Sequence, residues 1–242
     1  MIGRIAVSTK DLVKTYGARR ALDGFTLDVP FGCILGLVGP NGAGKTTWMM
    51  SVAGLIRPTA GRIGLFGADR PFDAAEQSGR LAILPQDSDL PLESTPRAFL
   101  VGLAQVQGLS ARAARTAADE LLASVNLADR ATASIRSLSH GMRKRLMAAQ
   151  CYLGEPDLVL LDEPMNGLDP EEALRLRELI VRGRNVRTTV ISSHNLADLE
   201  RLCTHIAFVR AGRVLRVASV AELTADGGTL EASYLQTIKG LS

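Results

Sequence analysis

Apolar positions along the chain fall into short runs separated by glycine, proline and charged residues. Residues 2–8 and 25–29 are alternating or apolar runs bounded by Gly and Pro, and predict strands. Residues 33–38, CILGLV, are continuously apolar, as in a strand buried on both faces. A glycine loop follows at once, and 46–53 then predict a helix. Residues 81–84 predict another short strand. The pattern changes over 87–155. Thr95 before Pro96 supplies an N-cap and a proline at the first helical position, and Gly108 supplies a stop. Ser110 opens a second helix with Ala114, Ala118, Leu121, Leu122 and Val125 on one stripe.

Strand and helix alternate again after this block. The runs at 158–161 and 188–192 predict strands, and 170–182 and 195–203 predict helices. Such alternation implies a parallel sheet covered by helices. Residues 205–209 and 213–217, split by Arg210, Ala211 and Gly212, predict a terminal hairpin. The expected architecture is a single α/β domain over 1–242, its core formed by 1–86 and 156–242 and its helical subdomain by 87–155.

Composition narrows the class. With 242 residues, 46% of them hydrophobic and 22% charged, the chain can bury a sizeable core and is not globally disordered. Lys plus Arg number 28 and Asp plus Glu 25, a net charge of +3 that gives no reason to expect a nucleic-acid partner. Aromatic residues at 4% leave little for a base-stacking surface. Cys33, Cys151 and Cys203 are widely spaced with no CxxC pair, so neither a disulfide framework nor a zinc cluster is expected, and a reducing compartment is. No apolar run approaches the length of a membrane span, and the first residues carry charges where a signal peptide needs an apolar stretch. A soluble, intracellular location is the expectation.

Two segments carry chemistry. Residues 39–47 read GPNGAGKTT, matching GxxxxGK[ST] between a buried strand and a helix. Gly39, Pro40, Asn41, Gly42, Ala43 and Gly44 can turn backbone N–H groups inward around phosphate oxygens, and the helix N-terminus at Lys45, Thr46 and Thr47 adds partial positive charge. Lys45 can reach the β- and γ-phosphates, and the Thr46 hydroxyl can coordinate Mg²⁺. Residues 158–164 read LVLLDEP, which places Asp162 at the carboxyl end of a strand, where ligands bind in open α/β sheets. Asp162 suits a metal held through water, and Glu163 can polarise an attacking water.

Further short motifs follow in order, and with them the sequence resembles the nucleotide-binding subunit of an ATP-binding cassette (ABC) transporter over nearly its whole length. LSHGM at 138–142 resembles the LSGGQ signature, Gln86 in LPQD the Q-loop, NGLD at 166–169 the D-loop, and His194 in SSHN the switch histidine. Tyr16 lies where the family carries an aromatic ring that stacks on adenine, although it also fits an ordinary strand-edge tyrosine. The resemblance implies a P-loop NTPase fold with an N-terminal antiparallel β part, and ATP and Mg²⁺ as cofactors. It implies that Glu163, His194, Lys45 and Gln86 serve hydrolysis, and that Thr46, Gln86 and Asp162 serve the metal. Ser139, His140, Gly141 and Asp169 would contact the nucleotide held by a second subunit, in a homodimer or heterodimer. Asp169 before Pro170 also reads as a plain helix N-cap. His140, Met142 and Asn166 depart from the usual Gly, Gln and Ser. Arg143, Lys144 and Arg145 read as a solvated or phosphate-facing helix start.

The implied activity is ATP hydrolysis coupled to transport through a separate integral membrane permease, with the chain peripheral on the cytoplasmic face of the membrane. The wording of LPQD and DEPMNGLDP is most similar to bacterial multidrug or antibiotic exporters. A soluble single-cassette ATPase of an assembly system is the alternative. The span from Thr47 to Leu138 has no room for the long coiled coils of repair ATPases.

Overall fold

In the computed structural model, residues 4–67 and 79–240 are described. The apolar run after Cys33 becomes β3 (Ile34–Val38), every residue of it buried. It lies inside a six-stranded sheet with β5 (Leu81–Leu84), β6 (Leu158–Asp162), β7 (Thr188–Ser193), β8 (His205–Arg210) and β9 (Arg213–Ser219), in the order β5-β6-β7-β3-β8-β9. All neighbours are parallel except β9, which pairs antiparallel with β8. Alternate residues of the central strands feed two cores, as the two-residue period requires. Ile34, Val38, Val159 and Leu161 enter one, and Leu35, Leu37, Leu158 and Leu160 the other.

The second core is closed by α1 (Lys45–Val52) and by a three-stranded antiparallel sheet, β2-β1-β4, made of β1 (Ile5–Tyr16), β2 (Arg19–Pro30) and β4 (Ala60–Leu65). Trp48, on α1, joins them. Its ring stacks on Phe25 at 5.8 Å, and its Nε1–H donates to Thr9 Oγ1 at 3.2 Å. The helix behind the phosphate loop is thereby pinned to the antiparallel sheet.

The first core is covered by α2 (Pro96–Val106), α3 (Ala111–Ser124), α4 (His140–Gln150), α5 (Pro170–Arg182) and α6 (Leu196–Leu202). Helix starts follow capping chemistry. Thr95, Ser110 and Ser139 accept hydrogen bonds from the N–H groups of Ala98, Ala113 and Met142. The helices α2–α4 fall within 87–155 and join the first core, continuous with the parallel sheet.

The structure departs from the sequence expectations in three places. The first strand runs to Tyr16, because bulges and Asp11 at φ 50° break its alternation after Thr9; residues 2 and 3 of the expected strand lie outside the described residues. Strand β4 was not expected, since only Ile63 and Leu65 of its six residues are buried. The β8–β9 hairpin is not terminal: α7 (Val220–Leu223) and α8 (Leu230–Lys239) follow it, and Tyr234 packs edge-on against Phe208 at 5.3 Å.

Candidate nucleotide-binding site

The loop after β3 takes its shape from glycines. Gly44 sits at φ 109°, and a Cβ there would lie 2.7 Å from the Ala21 carbonyl, so no side chain fits. Gly44 is also the N-cap of α1 and offers no side-chain cap, leaving the first N–H groups of the helix for an anion. Lys45 folds inward and donates to the carbonyls of Gly39 at 2.7 Å and Pro40 at 3.3 Å. Burial holds its ammonium pKa below the ordinary lysine value, and the carboxylates of Glu163 and Asp162 oppose that shift.

A cavity of about 360 Å³ lies over this loop. Residues 41–47 line it together with Gln86, Asp162, Glu163, Arg19 and Ala21. Asp162 is held by two hydroxyls: Thr46 Oγ1 donates to Oδ2 at 2.5 Å, and Ser192 Oγ donates to Oδ1. Ser192 Oγ also accepts from the Glu163 N–H at 2.9 Å. Glu163 has φ 50°, a left-handed conformation that costs a non-glycine residue about 1–2 kcal/mol. This conformation occurs in a side chain that lines the cavity while only 9% exposed. His194, whose side chain is 60% exposed, places Nδ1 3.0 Å from Glu163 Oε2. An ionised carboxylate only accepts, so the ring donates from Nδ1.

Signature and D-loop residues form a second cluster. Ser139 caps α4 by accepting from the Met142 N–H at 3.1 Å, and Asp169 caps α5 by accepting from the Glu172 N–H at 2.9 Å. The two helix starts touch. A Cβ on Gly141 would come 2.9 Å from Glu172 Cγ, which accounts for a glycine at this close approach. Arg145 is only 3% exposed, pairs with Glu172 and donates to the Val125 carbonyl. Lys144 donates to the Asn166 carbonyl; burial lowers its pKa and Glu163 counteracts this. His140 is exposed beside Gly167. None of Ser139, His140, Gly141 or Asp169 lines the cavity over the chain's own phosphate loop.

Most residues expected from the sequence to handle phosphate or metal thus share one cavity: Asn41, Gly42, Ala43, Gly44, Lys45, Thr46, Thr47, Gln86, Asp162 and Glu163. Gly39 and Pro40 serve through carbonyls to Lys45, and His194 reaches the site through Glu163. Tyr16 is 47% exposed, outside the cavity wall, with the Lys14 ammonium 5.1 Å from its ring centroid. Arg145 does not belong to a solvated run, because α4 turns it toward Glu172 and the Val125 carbonyl. Sequence reasoning missed Arg19, Ser192 and Glu172. For Ser192 a signal existed, as it ends the apolar strand that leads to His194.

A glycine loop between a buried parallel strand and a helix, facing an acidic strand end, defines a P-loop nucleoside triphosphatase. Its family follows from comparison with known proteins: the chain belongs to the ABC transporter family, whose profile matches residues 22–166. It is 36% identical over 211 residues to the Nod factor export ATP-binding protein I of Burkholderia orbicola (strain AU 1054), covering 86% of this chain and 68% of that one. It is 37% identical over 227 residues to the daunorubicin resistance ATP-binding protein DrrA3 of Streptomyces coeruleorubidus, covering 92% and 71%. Among solved structures, an ATP-binding subunit of an ABC transporter superposes with a TM-score of 0.84 at 28% identity, covering 96% of this chain and 99% of that one. The cbiO1 protein of Clostridium perfringens shares the fold, with a TM-score of 0.82 at 23% identity over 98% and 97% of the two chains. The chain is an ATP-binding cassette ATPase.

Proposed function

We propose that this chain hydrolyses ATP with Mg²⁺ as one half of a head-to-tail pair, and that the cycle drives export through a separate membrane permease. The observation that carries this reading is a separation within one chain. Lys45, Thr46, Asp162 and Glu163 converge on the cavity, whereas Ser139, Gly141 and Asp169 sit together outside it. A second helix N-terminus that is not aimed at its own phosphate loop is available to a nucleotide held by a mate. Two-fold pairing of such chains produces two equivalent composite sites.

The residues facing the cavity present oxygen donors suited to a hard divalent cation: the Thr46 hydroxyl, the Asp162 carboxylate and the Gln86 amide. These three would hold Mg²⁺, which supplies charge neutralisation on the phosphate oxygens. Glu163 orients the attacking water and draws its proton toward the carboxylate. His194 fixes that carboxylate through Nδ1–H, and Ser192 fixes the backbone that carries it. Lys45 and the N–H groups of the loop stabilise charge as the γ-phosphoryl leaves.

Among the described residues no helix is long and apolar enough to cross a membrane. We assign the path to an integral membrane subunit, with α2–α4 as the docking surface and the chain on the cytoplasmic face. Export is favoured by two relatives, one named for Nod factor export and the other for daunorubicin resistance. The test is affinity purification from membranes followed by phosphate release in vesicles. Recovery of an integral membrane protein that stimulates turnover is expected. Recovery of soluble assembly factors alone would contradict the transport assignment.

A further inference from the structure

The hairpin between β1 and β2 delivers a second cation to the phosphate cavity. Tyr16 and Arg19 face each other as the last pair of that hairpin, across a turn in which Gly17 takes φ 57°. Of the pair, the cavity wall includes Arg19 and not Tyr16. A Cβ built on Gly42 would lie 3.0 Å from Arg19 Nη2, so the guanidinium rests on the crown of the phosphate loop.

Its neighbours are otherwise engaged. Arg20 Nη1 donates to Asp23 Oδ1 at 2.6 Å, and Arg213 Nη2 donates to Asp23 Oδ2 at 2.7 Å. These two arginines hold the Asp23 carboxyl below the usual carboxylate range. Arg19 makes no ion pair and no side-chain hydrogen bond among the described residues. An arginine stays charged at any working pH, and its planar fork matches phosphate oxygens.

The root of the hairpin is locked to the loop, which fixes where Arg19 can reach. The Asp23 N–H donates to the Gly212 carbonyl at 2.9 Å, and the Gly212 N–H donates to the Ala43 carbonyl at 2.9 Å. The Ala21 carbonyl is packed against Gly44. Arg19 lies two residues before Ala21, on a hairpin tied to the loop by these contacts.

We propose that Arg19 is a nucleotide-binding residue that grips the phosphate chain from the β1–β2 hairpin beside Gly42, complementing Lys45 from inside the loop. The proposal rests on the cavity being the ATP site and adds a side chain that the glycine-loop pattern does not contain. Because the contact needs only the phosphates, it strengthens ATP and ADP alike and acts on affinity more than on turnover. A guanidinium–phosphate contact at a partly exposed rim corresponds to a loss of about five- to tenfold on removal.

The experiment compares wild type, Arg19→Ala, Arg19→Lys and Arg20→Ala. Dissociation constants are measured for ATP, ADP and tripolyphosphate by displacement of a fluorescent N-methylanthraniloyl ATP, with kcat and KM determined alongside. Arg19→Ala should weaken all three ligands by a similar factor, raise KM, and leave kcat within about twofold. Arg19→Lys should recover part of the loss, and Arg20→Ala should bind as wild type does. Unchanged constants in Arg19→Ala would overturn the assignment, as would a loss confined to ATP and ADP with tripolyphosphate unaffected. A loss of the same size in Arg20→Ala would reduce the effect to general hairpin charge and overturn it too. Failure of the wild type itself to bind ATP would instead overturn the ATP site on which the inference rests.

Discussion

The Thr46 hydroxyl donates to Asp162 at 2.5 Å, although 116 positions separate the two residues in the chain. One belongs to the first turn of α1 and the other to the last position of β6. The bond exists because β3 and β6 lie in one parallel sheet with β7 between them, so the loop after β3 and the end of β6 open on the same edge. The cavity formed there contains every side chain to which the proposal gives a direct part in phosphate chemistry, apart from those of the mate.

Among the described residues that line this cavity, Glu163 is the carboxylate that does not accept a hydroxyl from Thr46 or Ser192; His194 engages its Oε2, which leaves Oε1 for water. Glu163→Gln should retain ATP binding and lose turnover by at least about 10²-fold. Phosphate release, measured beside equilibrium ATP binding, checks both halves. Wild-type turnover in a contaminant-free preparation would remove Glu163 from the role of base.

Lys45 titrates with a depressed pKa because it is buried. Between that lowered value and the ordinary 10.5, the folded chain holds fewer protons than the unfolded one, so this group adds stability as pH rises through the window. Bound phosphate stabilises the ammonium and reverses the shift. ATP binding in that window should therefore take up protons. Calorimetry in two buffers of different ionisation enthalpy should give different apparent enthalpies; equal values would contradict the protonation argument.

Arg145 and Glu172 join the middle of α4 to the first turn of α5, and Arg145 has almost no contact with solvent. Glu172→Ala leaves that charge uncompensated and should destabilise the fold by about 3 kcal/mol. Replacing both residues with methionine should recover most of the loss, since well-packed apolar substitutes can match a buried pair. Urea unfolding of the single and double variants measures this. A single-variant effect below about 0.5 kcal/mol would mean that the pair behaves as a surface ion pair.

Much of the site was legible in the sequence because its chemistry is local. The spacing of Gly39, Gly44 and Lys45 specifies the loop, and four apolar residues before Asp162 specify a strand end. The parallel sheet was legible from the alternation of strands and helices. What escaped depends on contacts distant in sequence or on weak periodicity. Strand β4 buries two side chains, and α8 buries Leu230 and Ser233, too few to mark a stripe. The burial of Arg145 depends on Glu172, 27 positions away, and Ser192 acquires meaning only when β6 and β7 pair. Arg19 becomes visible only when the hairpin folds over the phosphate loop.

The central claim is that Ser139 and Gly141 of one chain close over ATP held by Lys45 of another. Light scattering during size-exclusion chromatography of Glu163→Gln, with a companion cassette present where pairing requires one and without the permease, which would hold two cassettes together whatever the nucleotide, tests it most directly. The account predicts a two-cassette complex at saturating Mg-ATP, its loss with ADP, and its loss when Ser139→Phe blocks the signature. A complex that forms equally with ADP, or that ignores the Ser139 substitution, or unpaired cassettes at every ATP concentration, would contradict it.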